Sequence, residues 1–238
     1  MSSFLNDMLT RAKADTKTIV LPEGNDERTL AAAERILADG IADLIILGDV
    51  EDMQSKGYNL SGARLIDNRS AQERGEFAEK LAELRAKKGM TLEQATELMD
   101  NELYFGMMLV KMGMADGLVS GACHSTGDVL RPALQILKTS PDAQMVSSFF
   151  IMNVPDCELG HNGTFLFSDC GLEVQPDAER LAQIALNAQN AWNSLIDDVD
   201  PVVAMLSHST YSSAKNDDSN KVIEATRIVK ELAPDMAV

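Results

Sequence analysis

The chain has 238 residues, 45% of them hydrophobic and 24% charged, and a formal net charge of −16. That length holds one large domain or two modest ones, and the composition is that of an ordinary soluble globular protein. So acidic a balance excludes nucleic acid and anionic membrane as main partners, and it leaves room for a small anion only where a local positive field opposes the global one.

The opening "MSSFLNDMLTRAKADTKT" reads as a polar amphipathic start, without the charged-then-apolar leader of a secreted protein. No apolar run approaches bilayer-spanning length. Cys123, Cys157 and Cys170 are too few and too irregular for a disulfide framework or a zinc site, and His124, His161 and His208 lack metal-ligand spacing. The expectation is a cytoplasmic protein with no bound metal.

"TIVLP" (18–22) predicts a buried strand and "DERTLAAAERILADG" a helix closed by Gly40. "ADLIILGD" is a second strand, followed by a short helical stretch and then "ARLID" as a third. Residues 71–88 form a charged helix, and Thr91 with Gln94 suits a capping box opening one helix through "TLEQATELMDNELYFGMMLVKMG". "DGLVSG" (116–121) is a strand leading into a loop. "MVSSFFIMNVP" and "GTFLFSD" read as an antiparallel pair, followed by a helix over 177–196, the strand "VVAMLSH" and a helix over 219–232. Strand–helix alternation predicts a mainly parallel sheet covered on both faces. Alternation fails near 145–169, which places the boundary between domains 1–146 and 147–238. The closing "ELAPDMAV" fits a short edge strand or a strand cut at its start.

"SGACHSTGDVLRPALQ" (120–135) sets an arginine behind a loop of small residues. Asp128 suits the N-cap of a helix beginning there, Pro132 is tolerated in its first turn, and Leu130, Leu134 and Leu137 form its buried stripe. A strand-to-helix junction of this kind is the usual ligand crevice of an α/β sheet. The helix end, with Ser125, Thr126, Gly127 and the guanidinium of Arg131, suits a phosphate. The same residues also fit a plain cap with Arg131 paired to a surface acid. Neither a Walker loop nor a dinucleotide fingerprint is present. "ELRAKKGMT" gathers Arg85, Lys87 and Lys88 where a solvated helix end favours cations anyway. Cys157 in "NVPDCELG" is a nucleophile or an inert small hydrophobe. Ser207 and Ser209 have no nucleophile elbow around them.

Together "TIVLPEGNDERTLAAAERIL", "AELRAKKGMT", "DGLVSGACHSTGDVLRPALQILKT", "FFIMNVPDCELGHNGTFLFSDCG" and "VAMLSHSTYSSAK" span essentially the whole chain in order. As a set they resemble the phosphate acetyltransferase family. The resemblance implies reversible acetyl transfer between coenzyme A and inorganic phosphate, giving acetyl phosphate, by direct transfer in a ternary complex. It implies coenzyme A phosphates bound by Arg85 and Arg131 with Ser125, Thr126 and Gly127 beside them. Cys157 and Asp128 would lie near the site, Cys157 as a bystander. It also implies a three-layer α/β/α architecture of two domains with a cleft, related to isocitrate and isopropylmalate dehydrogenases. The protein would be a homodimer with coenzyme A or acetyl-CoA as substrate and no permanently bound cofactor.

One departure stands out. Family members continue past the equivalent of Val238, and their serine–arginine pair and aspartate lie in that downstream segment. No catalytic residue is therefore assigned here; the chain is expected to be truncated, and whether it turns over by itself is left to experiment. Asp128 and Asp169 are the carboxylates at hand. Rival readings are a butyryl or propionyl relative, a fragment that binds coenzyme A or only dimerises, and a metal-dependent dehydrogenase on the related fold. The last would need clustered acidic ligands and a nicotinamide site.

Overall fold

The computed structural model describes residues 3–141, 143–196, 199–209 and 213–238, arranged as two compact units. One covers Asn6–Lys138; the other covers Thr139–Val238 with the start of the first helix, α1 (Ser3–Ala14).

In the first unit, β1 (Thr18–Leu21), β2 (Asp43–Leu47), β3 (Arg64–Ile66) and β4 (Gly117–Leu118) form a parallel sheet in the order β3-β2-β1-β4. Successive side chains of a strand point to opposite faces, and here each face has its own apolar partners. Leu21, Leu44 and Ile46 meet Leu30 and Ala33 of α2 (Glu27–Asp39) and Met53 of α3 (Val50–Ser55). Val20, Ile45 and Leu47 meet Phe77 and Leu81 of α4 (Arg74–Arg85), Phe105 and Met108 of α6 (Glu102–Lys111) and Ile136 of α7 (Thr126–Ile136). Burying each such side chain is worth about 1.5–3 kcal/mol, so a one-residue slip in register would forfeit much of both faces. As expected, α2 ends at Gly40, whose left-handed φ of 61° lets its N–H cap Ile36 and Leu37.

The single helix expected from Thr91 to Gly113 is two. The Thr91–Gln94 capping box opens α5 (Leu92–Leu98), and α6 starts afresh at Glu102. Asn101 makes the break: its side chain accepts from the N–H groups of Leu103 and Tyr104 at 3.0 and 3.1 Å. The buried amide of Asn68 donates to the Met99 and Asp100 carbonyls, both at 2.9 Å, which satisfies the acceptors the break releases. Strand β4 is also shorter than its apolar run. The Val119 N–H still reaches the Val20 carbonyl at 3.0 Å, but the next amides turn away to a side chain described below.

In the second unit, β5 (Phe149–Asn153) and β6 (Thr164–Ser168) form the expected antiparallel pair, with Phe150 opposite Phe167. Helices α8 (Ala178–Leu195) and α9 (Asp217–Leu232) pack through Ala182, Ala185, Ala225 and Val229, small side chains that permit close approach. The strand expected over "VVAMLSH" is reduced to one bridge, Val202 with Ala237, because among the described residues no longer segment lies alongside to continue a ladder. Thr210, Tyr211 and Ser212 of the "SHSTYSS" stretch lie outside the described residues. Among those described, no helix is long and apolar enough to cross a membrane, and the three cysteines are free thiols.

Candidate functional site

The site is built on a glutamate that sequence reasoning passed over. Glu23 follows β1 at the sheet's carboxyl end and is 5% exposed. Its Oε2 accepts the N–H groups of Gly121 and Ala122 at 3.0 and 2.9 Å. Its Oε1 accepts the N–H of Cys123 at 2.9 Å and lies 2.7 Å from His124 Nδ1. These are the amides that leave the β4 ladder. Burial alone would push the Glu23 carboxyl up; the converging backbone donors and the imidazole overcome that and hold it near 2. Glu23 is thus an ionised, acceptor-only centre that shapes the loop carrying the chain into α7, and Nδ1 must carry the proton of the imidazole it meets. The other ring nitrogen, Nε2, faces Glu102 Oε1 at 3.4 Å. Arg28 bridges Asp26 and the Ala122 carbonyl, the latter at 2.6 Å, bracing the loop from α2. The available signal for Glu23 was position alone, a carboxylate directly after a buried strand where α/β sheets open their crevice.

Helix α7 starts three residues earlier than expected. Ser125, not Asp128, is its N-cap, and Asp128 occupies the third helical position of a capping box. Ser125 is already extended (φ −73°, ψ 160°), and its hydroxyl donates to Asp128 Oδ2 at 2.6 Å while accepting the Asp128 N–H at 3.3 Å. The buried face also differs from the expected leucine stripe: Pro132 and Ile136 are inside with Val129, Ala133 and Leu137 packed beside them, while Leu134 is 45% exposed. Asp128 is held below the usual carboxylate range by its hydrogen bonds to Ser125.

These facts sharpen what the helix end can offer an anion. The Asp128 and Val129 N–H groups are taken by Ser125, and among the described residues only those of Thr126 and Gly127 in this first turn have no acceptor. The Asp128 carboxylate also places negative charge there. Arg131, three residues on, is exposed, and its charge helps hold the Asp128 carboxyl down. Its guanidinium is the counter-charge this helix end supplies.

Arg85 sits elsewhere in the same unit. With Lys88, Gly89, Met90, Gln94, Glu97 and Leu98 it lines a cavity of about 490 Å³, and its buried Nε has no hydrogen-bond partner among the described residues. That cavity includes none of Ser125, Thr126, Gly127, Asp128 or Arg131. Cys157 belongs to the second unit, half-buried in the loop after β5, its sulfur 4.0 Å from the Leu159 carbonyl with no acid or base bonded to it among the described residues. Asp169 accepts from the backbone N–H and the hydroxyl of Ser148, and from the amides of Gly171 and Leu172, all at 2.8 Å, and from Glu173 N at 3.3 Å. Burial opposes its charge, but those donors drive its carboxyl far below the ordinary range. A larger cavity of about 820 Å³ lies between β6, α8 and residues 199–206, lined mainly by apolar side chains and by none of the anticipated coenzyme-binding residues.

Fold and loop together define a mixed α/β protein with a parallel sheet, its strand ends opening on a braced loop and an arginine-bearing helix. The chain belongs to the phosphate acetyl/butaryl transferase family, whose pattern it matches over residues 3–238. It is 48% identical to a phosphate acetyltransferase of Acetivibrio thermocellus over 238 residues, 99% of this chain and 71% of that one. A phosphotransacetylase structure from Streptococcus pyogenes superposes with a TM-score of 0.89 at 39% identity, covering 100% of this chain and 72% of the other. The EutD phosphotransacetylase of Staphylococcus aureus gives 0.84 at 41% identity, over 97% of this chain and 68% of its own.

Proposed function

We propose that this chain is a phosphate acetyltransferase, moving acetyl reversibly between coenzyme A and inorganic phosphate. The observation that carries this reading is similarity along the whole chain to relatives bearing that name, at 48% and 42% identity. The substrates are coenzyme A or acetyl-CoA, phosphate and acetyl phosphate, and no cofactor is permanently bound. We assign it the three-layer α/β/α, isocitrate dehydrogenase-like plan of two domains, 1–146 and 147–238, in a cytoplasmic homodimer serving acetate metabolism. The opposed pair Phe150 and Phe167, 58% and 52% exposed, supports association, because apolar surface of this sort is usually covered.

The chemistry sets demands that can be matched to residues. Attack on the acetyl carbonyl needs the coenzyme A thiolate, so a base must reach the thiol, and cations must offset the phosphate charge. Asp169 is committed to its five donors and Asp128 to its cap, so neither takes the role of base. The cationic role falls to Arg85 and Arg131, with Ser125, Thr126 and Gly127 presenting the helix end.

In a chain that carries the family's downstream catalytic segment, Arg131→Ala should raise the apparent KM for coenzyme A about 10-fold, the loss of one charge-assisted contact, with a smaller change in kcat. Thioester formation from acetyl phosphate and coenzyme A, followed by ultraviolet absorbance, reads both; an unchanged KM removes Arg131 from the coenzyme site. In the same assay of a chain that carries the family's downstream catalytic segment, Cys157→Ala should retain substantial turnover, as direct transfer requires. Complete loss, with acetyl trapped on Cys157 of the unaltered chain, would establish a covalent route.

A further inference from the structure

The spacing of cysteines and histidines along the chain offers no metal site, but the fold brings a glutamate from 100 positions away to an adjacent Cys–His pair. Glu23 Oε1, Cys123 Sγ and a ring nitrogen of His124 all lie within 4.8 Å of one another. We propose that Glu23, Cys123 and His124 form a binding site for a zinc-class divalent cation, with His124 ligating through Nδ1 and Glu102 oriented behind it on Nε2. The inference stands independently of the acetyl-transfer reading.

The donor set is one carboxylate oxygen, one sulfur and one imidazole nitrogen, a combination suited to Zn²⁺ and Co²⁺ and unsuited to Mg²⁺. Metal–ligand bonds of about 2.0–2.3 Å in a tetrahedron put neighbouring ligand atoms roughly 3.3–3.7 Å apart. Cys123 Sγ and Glu23 Oε1 already stand at 3.5 Å. His124 Nδ1 and Oε1, at 2.7 Å, are closed up by the proton between them and must open by about 0.6–1 Å when a cation replaces it.

Glu23 can ligate without losing its structural work, because Oε1 has two lone pairs, one for the Cys123 N–H and one for the metal, while Oε2 keeps Gly121 and Ala122. The second observation is Glu102. A metal-bound histidine ordinarily donates its other ring N–H to a carboxylate, and Glu102 Oε1 waits 3.4 Å from Nε2. Cys123 is exposed, so the fourth position opens to solvent.

The proton balance follows from these partners. Starting from a neutral imidazole, the ring proton passes from Nδ1 to Nε2, and the Cys123 thiol loses its proton as the metal–sulfur bond forms. One proton is released per cation. Occupation would tie the end of β1 to the loop just ahead of Ser125.

The test is a titration of the 238-residue chain with Co²⁺ in a thiol-free reductant. The expected result is a thiolate-to-cobalt charge-transfer band in the unaltered chain and in Cys157→Ser, absent in Cys123→Ser, displaced by Zn²⁺ and indifferent to Mg²⁺. Release of about one proton per Co²⁺ should accompany it, and Glu102→Gln should weaken Co²⁺ binding by about 10-fold or more. No band, or a band that survives Cys123→Ser, overturns the proposal, and unaltered affinity in Glu102→Gln overturns the Nδ1 geometry.

Discussion

Glu23→Gln is expected to destabilise the chain by about 3 kcal/mol and to loosen residues 121–124 selectively. Both glutamate oxygens are in use, one by Gly121 and Ala122 and the other by Cys123 and His124. Glutamine has a single carbonyl oxygen. Whichever way the amide turns, its NH₂ group faces N–H donors, and at least one buried donor loses its acceptor. Hydrogen bonds to a charged partner are worth about 1.5–3 kcal/mol each, and an orphaned buried donor costs about as much again, so even partial relaxation leaves a large deficit. Denaturant unfolding measures the total. Amide hydrogen exchange locates it, because protection at Gly121, Ala122 and Cys123 should fall about 100-fold, the factor corresponding to that free energy. Glu23→Asp, which keeps the charge but shortens the reach, should fall between. A Glu23→Gln chain within about 0.5 kcal/mol of the original would show that the loop is held by something other than this carboxylate.

Asp169→Asn should cost about 3 kcal/mol near neutral pH, and the deficit should shrink as the solution is acidified. The folded carboxyl titrates far below its ordinary value of 3.8, because the donors from Ser148, Gly171, Leu172 and Glu173 outweigh the cost of its burial. For a depressed carboxylate the unfolded chain takes up the proton first. The stabilisation is therefore complete above the ordinary value and is lost as pH falls below it toward the folded one. Asparagine has no such linkage, so the stabilities of the two chains should converge between about pH 5 and pH 2. Unfolding midpoints across that range decide the matter, and a gap independent of pH would mean that Asp169 acts through shape rather than charge.

Local pattern was enough for most elements, since apolar runs and caps are written within a few residues of one another. "TIVLP", "ADLIILGD" and "ARLID" lie in the parallel sheet, Thr91 with Gln94 caps α5, and "MVSSFFIMNVP" pairs antiparallel with "GTFLFSD". Local pattern failed where a distant group competes for the backbone. Asn101 and the buried Asn68 split one apolar periodicity into α5 and α6, and Asn68 is more than thirty residues away from the carbonyls it serves. At α7 two acceptable caps stood three residues apart, and Ser125 with Asp128 in reciprocal roles satisfies more donors than Asp128 alone.

The sequence by itself determined the alternation of strands and helices, the acidic surface, and the residues that make the family resemblance, because these depend on composition and short-range period. It also named Arg85, Arg131, Ser125, Thr126, Gly127, Asp128 and Cys157 as the residues to examine. Only the tertiary structure decided that Glu23 organises the loop before α7, that Asp169 is spent on structure, and that Cys123 and His124 share a carboxylate. The physical reason is that a buried charge is tolerable only where several donors converge. Parallel strands joined by long crossovers bring those donors together from positions roughly a hundred residues apart.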